Sequence, residues 1–191
     1  GVLYQGEKMI PGARAVVSWL QHSGIPHLFV TNTTSRPRRL IIEKLRGMGM
    51  EIEARSIVTP VIAAEQWLSQ HVKGDVALFI PEATREDLKD VTQLTGESEQ
   101  GGAAVVVGDL GAQWDYHLLN RAFRLLMADP ATQLLALGMT RYWRAEDGLR
   151  LDVAPFVKAL EYATDKNAVI VGKPSSEFYS MCLSMIGLES G

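Results

Sequence analysis

One cysteine in 191 residues, Cys182, excludes an intramolecular disulfide and a zinc site built on cysteines, and it fits a reducing cytoplasm. Net charge is equally scarce. Nineteen Lys and Arg against 22 Asp and Glu leave −3 at neutral pH, so there is no electrostatic reason to expect nucleic acid or an anionic membrane as the main partner. Long apolar runs are missing too: Ala103 to Val107 and Gln133 to Leu137 are strand-sized, far short of the roughly twenty residues of a membrane span. No signal or targeting segment is legible, and the chain opens at Gly1 without an initiator Met. No Gly-x-Gly-x-x-Gly follows a predicted strand, which leaves a dinucleotide-binding reading weak. His22, His27, His71 and His117 lack metal-ligand spacing.

What is present is enough apolar residue, 47% of the chain, for a real core. Apolar spacing predicts helices over 12–22, 35–48, 60–71, 114–128, 154–163 and 175–186. Between them, 26–30, 76–81, 103–108, 133–138 and 168–171 read as strands, and 141–152 reads as a hairpin turning on Glu146-Asp147-Gly148. Residues 85–100 are polar and read as exposed helix and loop. Strands alternating with helices give an α/β fold with a parallel sheet. Breaks near Thr59 and Lys166 make the middle of the chain an insertion.

Two stretches carry chemistry. In "FVTNTTSRPRR", Phe29 to Arg39, an apolar strand ends in hydroxyl and amide side chains just before a helix. The carboxyl end of a strand in an open α/β sheet is a ligand site, and helix N-terminal N–H groups favour an anion. The plainer alternative is capping, with Thr33, Thr34 or Ser35 as N-cap and Pro37 in the first turn. In "VIVGKPSSEFY", Val169 to Tyr179, a second strand ends in Gly172-Lys173-Pro174. An ammonium fixed there is a compact charge for a phosphoryl oxygen, although a lone lysine is more often a surface group. Thr31 and Lys173 at the same edge of one parallel sheet would form half of a phosphoryl-transfer site.

The opening "GVLYQGEKMIPGA" resembles the stretch that leaves the Asp-x-Asp-Gly nucleophile run in the haloacid dehalogenase superfamily, with Gly1 as the Gly of that run. Together with "FVTNTTSRPRRLI", "VVVGDLGAQWDYHLLNRAF", "RYWRAEDGLRLDVAPFVKALEYAT" and "VIVGKPSSEFY", in this order, it resembles the class IIA, C2-capped phosphatases. The resemblance implies a Rossmann-like parallel-sheet core, incomplete here, with an inserted α/β C2 cap domain. The corresponding domains are core 1–59, cap 60–165 and core 166–191.

The resemblance also implies a mechanism. Thr31 would hold the transferring phosphoryl group with Asn32 and Thr33 beside it, and Lys173 would offset negative charge. An aspartate nucleophile would form an aspartyl-phosphate, a second aspartate would act as acid and base, and Mg²⁺ would bridge carboxylate and phosphate. Those aspartates would precede Gly1, and an acidic fourth motif would come after Gly191, so the chain as given is expected to be inactive alone. Asp109, which mimics that fourth motif, reads as a strand-end turn residue of the cap. Arg141, Tyr142 and Arg144 would meet the leaving group from a cap loop; an exposed hairpin is the alternative. The expected partner is a small phosphorylated substrate, with a homodimer through the cap left open. The competing class is a non-catalytic binding or assembly protein on the same scaffold.

Overall fold

The computed structural model describes residues 2–188. Gly1, expected to be the last residue of an acidic motif, lies outside the described residues, as do 189–191. The chain opens with a short antiparallel pair, β1 (Tyr4–Gln5) and β2 (Lys8–Met9), followed by α1 (Ala13–Ser23), β3 (Phe29–Val30), α2 (Arg38–Gly47), β4 (Ile57–Val58) and α3 (Pro60–His71). Then come β5 (Val76–Phe79), β6 (Ala104–Val107), α4 (Tyr116–Ala128), β7 (Gln133–Ala136), β8 (Tyr142–Ala145), β9 (Gly148–Leu151), α5 (Ala154–Thr164), β10 (Val169–Ile170) and α6 (Ser176–Met185).

Local chemistry sets most of these bounds. Thr59 is fully buried, its hydroxyl accepts from the Ile62 N–H at 3.3 Å, and Pro60 takes the first position of α3, so that helix starts where a cap and a proline coincide. Asp115 and Ser175 cap α4 and α6 in the same way. The turn between β8 and β9 falls on Glu146-Asp147, with Gly148 at φ 133°.

The larger sheet is parallel, in the order β10-β7-β6-β5, and the period of two along each strand sorts its side chains onto two faces. Ala104 and Val106 pack with Leu135, Val61, Leu68 and Phe178 on the α3 and α6 side. Val105 and Val107 pack with Leu134, Leu125, Val157 and Leu160 on the α4 and α5 side. A helix–sheet–helix sandwich buried on both sides explains why these strands read as continuous apolar runs. A third cluster joins Val17 of α1, Ile41 and Leu45 of α2, Met50, Ile52 and Ile57. There β3 and β4 form a separate two-stranded parallel sheet.

Three expectations need correction. First, β10 pairs with β7 in the large sheet and not beside β3, so Thr31 and Lys173 follow strands of two different sheets, and the large-sheet unit runs past residue 166. Lys166 itself is tied into that unit, its ammonium donating to the carbonyls of Asp129, Pro130 and Thr132 at 3.2, 2.8 and 2.8 Å. Second, residues 85–100 are not simply exposed. A 3₁₀ turn at Glu82–Asp87 buries Thr84, Asp87 and Leu88. Third, the sequence marks no strand at 57–58, where β4 lies, because two apolar residues before a helix leave no period to read.

The N-terminus of α2 departs from expectation as well. The helix begins at Arg38, its N-cap is Pro37, and neither Thr33, Thr34 nor Ser35 caps it. The Arg38 N–H donates instead to Asp87 Oδ2 at 2.7 Å, from a segment 49 residues away. Burial raises the Asp87 carboxyl above its ordinary range, against the lowering effect of that N–H and the Arg38 charge. The folded state therefore binds the proton more tightly than the unfolded chain, and this contribution to stability is present below about pH 4 and is lost as pH rises through the elevated folded value. Asp87→Asn keeps an acceptor for Arg38 and removes that slope. Asp87→Ala orphans the N–H and is expected to cost about 1–2 kcal/mol. Denaturant unfolding of the three proteins between pH 4 and 7 checks both statements.

Candidate active site

The loop after β3 is organised around Thr31. Its N–H donates to Val58 O on β4 at 3.1 Å, which extends the two-stranded sheet by one rung. Its Oγ1 accepts the Thr33 N–H at 3.2 Å and lies 2.8 Å from Thr33 Oγ1. A hydroxyl that closes its own turn in this way has a fixed oxygen and a proton that can rotate toward an incoming acceptor.

Lys173 reaches the same place from the large sheet. Its Nζ donates to the Val30 carbonyl at 3.2 Å, one residue before Thr31. Its backbone is gripped by Asn32: Nδ2 donates to Lys173 O at 3.0 Å, and the Lys173 N–H donates to Oδ1 at 3.0 Å. Thr31 and Lys173 line one cavity of about 250 Å³. Its other walls are residues 2–4, Phe29, Val30, Ile41, Leu45 and Ile57. A half-buried ammonium and hydroxyl against an apolar wall suit an oxyanion, because both donors act where water competes less.

Gly172 makes this approach possible. A Cβ there would collide with the Leu137 carbonyl oxygen and stand 3.3 Å from the Gly138 Cα, so the chain at 172 lies flush against the end of β7. The hairpin β8–β9 starts just beyond that point.

Sequence-predicted residues divide accordingly. Thr31, Asn32, Thr33 and Lys173 come together. Arg141, Tyr142 and Arg144 lie on the exposed hairpin, and none of them lines the cavity of Thr31 and Lys173. Tyr142 stands opposite Leu151 and Arg144 opposite Leu149 on one face of the ribbon, with the Arg141 guanidinium 6.0 Å from the Tyr142 ring centroid. Asp109 Oδ1 accepts the Gly111 N–H at 2.9 Å, as a turn residue does. What the sequence reading missed is the side-chain role of Asn32 and the contact at Gly172. The only available signal was the glycine placed before Lys173.

A Mg²⁺ ion requires hard oxygen donors, carboxylates above all. Among the described residues, no carboxylate lines the cavity that Thr31 and Lys173 share, and no group of three or more His, Cys, Asp or Glu could hold a metal. The residues present therefore do not fit a magnesium site by themselves.

An α/β chain in which a threonine and a lysine following strands of two parallel sheets meet at one cavity has a haloacid dehalogenase-like fold, as its solved structural neighbours show. The chain belongs to the haloacid dehalogenase-like hydrolases, and residues 1–93 match that family directly. It is 36% identical over 194 residues to the phospholysine phosphohistidine inorganic pyrophosphate phosphatase of Danio rerio, covering 99% of this chain and 69% of that protein. It is 36% identical over 179 residues to haloacid dehalogenase-like hydrolase domain-containing protein 2 of Rattus norvegicus, covering 94% and 66%. Among solved structures it superposes on a p-nitrophenyl phosphatase from Archaeoglobus fulgidus with a TM-score of 0.85 at 25% identity, covering 98% of this chain and 71% of that one. The chain thus spans about two thirds of the length of the curated relatives it matches. No helix of the described residues is long and apolar enough to cross a membrane.

Proposed function

We propose that the full-length protein is a phosphohydrolase of small phosphorylated molecules, and that this chain supplies its phosphoryl-holding corner. The observation that carries the reading is the hydrogen bond from Lys173 Nζ to Val30 O, which spans 143 residues to set an ammonium beside Thr31. In this reading Thr31 Oγ1 donates to a phosphoryl oxygen and Lys173 neutralises charge that grows there in the transition state. Haloacid dehalogenase-type phosphatases generally use Mg²⁺, which would supply charge neutralisation between nucleophile and phosphate. The carboxylates for that ion, the aspartate nucleophile and its aspartyl-phosphate are assigned to the rest of the full-length protein. The 191 residues alone are accordingly read as inactive.

The unit from residue 60 through the large sheet is read as the cap, with Arg141, Tyr142 and Arg144 available to the leaving group. Support for the phosphatase reading comes from the names of the relatives: one acts on phospholysine, phosphohistidine and inorganic pyrophosphate, another on p-nitrophenyl phosphate. The test is a panel of phosphate esters, phosphoramidates and pyrophosphate, incubated with full-length protein with and without Mg²⁺. Mg²⁺-dependent release of phosphate from at least one member is expected. Release that ignores Mg²⁺, or no release from any member, contradicts the proposal.

A further inference from the structure

We propose that Asn32 is a positioning residue for Lys173, acting through a two-point splint on that lysine's backbone and not through substrate. The inference rests on the phosphoryl-holding reading of Lys173 under the proposed function.

The geometry is that of one rung of a β-ladder made by a side chain. A carboxamide carries one N–H donor set and one carbonyl acceptor on the same planar group, as a peptide does. The Asn32 amide uses both on a single residue, donating to Lys173 O and accepting from Lys173 N–H, each at 3.0 Å, across 141 residues of sequence. Such a pair fixes orientation as well as distance, because two bonds of opposite sense tie one rigid carboxamide to one residue.

The need for a splint arises from the topology. Phe29–Val30 and Val169–Ile170 belong to different sheets, so no strand pairing sets the distance between their ends. Among the described residues, the hydrogen bonds joining 29–34 to 169–175 are the two amide bonds and the Nζ–Val30 bond. The last of these depends on a lysine stem with several rotatable bonds, whose ordering is entropically costly unless its root is held. Gly172 holds that root on one side, flush against Leu137 O, and Asn32 holds it on the other.

The side-chain requirement is narrow. Asp at 32 would keep an acceptor for the Lys173 N–H but place an oxygen against the Lys173 carbonyl, turning one attraction into a repulsion. Ala would remove both bonds. In either case the ammonium loses its fixed root while the phosphoryl-contacting groups stay chemically intact.

A double-mutant cycle on the full-length protein tests this, with p-nitrophenyl phosphate as substrate and enzyme concentrated enough to follow slow variants. Asn32→Ala is expected to lower kcat about 10–100-fold with KM changed less than about threefold, the cost of a misplaced charge. In the Lys173→Ala background the same substitution is expected to change kcat less than about twofold, because the residue it positions is gone. Asn32→Asp, nearly isosteric, takes the place of Asn32→Ala should the latter not fold, with the same expected coupling. Losses that multiply in the double variant, or wild-type kcat for Asn32→Asp, overturn the positioning role while leaving the phosphatase reading in place. No loss on Lys173→Ala alone overturns the reading of the site, and the inference with it.

Discussion

Lys173→Ala in the full-length protein is expected to lower kcat for phosphate release by about 10²–10³-fold, the usual effect of deleting one preorganised group that meets developing charge. The expectation comes from how completely the fold commits this ammonium. It is half-buried, bonded to Val30 O at 3.2 Å and delivered to the cavity that Thr31 also lines. Alanine leaves the backbone splint to Asn32 in place, so loss of the charge is separable from loss of the fold. Lys173→Arg is not expected to restore the rate. A planar fork is longer and broader than an ammonium, and the site offers one carbonyl and one hydroxyl in place of a matching carboxylate. Steady-state assays of wild type, Lys173→Ala and Lys173→Arg decide the matter, and equal rates for the first two would remove the basis of the proposed function.

The second large effect concerns stability. Gly172→Ala is expected to destabilise the protein by about 3 kcal/mol or more, at the upper end of overpacking costs. The cause is steric and not conformational. Gly172 is not among the residues with positive φ, yet its Cβ would run into the Leu137 carbonyl, a backbone oxygen that has no rotamer by which to retreat. The control is Gly47, the last residue of α2, where a Cβ meets nothing within 4 Å. Gly47→Ala is expected to be neutral or to stabilise by up to about 1 kcal/mol. Denaturant midpoints for the two variants should move by very different amounts. If the protein accepts Gly172→Ala without loss, the close approach of residue 172 to β7 is wrong, and with it the route by which Lys173 arrives.

Much of the fold could be read from residue order alone. Helix α3 was legible over its whole length because its apolar spacing runs from Pro60 to His71, and the Thr59-Pro60 cap and proline that start it act within a few residues. The large sheet was legible because strands covered on both faces are apolar throughout. Helix α2 was misplaced at its start because its N-terminal partner, Asp87, comes from 49 residues away, where no local rule reaches.

The sequence by itself determined the α/β class, the family, and the two residues, Thr31 and Lys173, on which the proposed chemistry depends. Strand ends rich in hydroxyls or glycine are local patterns, and local patterns survive in one dimension. The tertiary structure alone decided that these residues come from different sheets, that Asn32 grips Lys173 by its backbone, and that Arg141, Tyr142 and Arg144 stand apart on an exposed ribbon. Those facts depend on which strand pairs with which and on contacts across more than a hundred residues, which are settled by burial of the whole core and not by any neighbour in sequence.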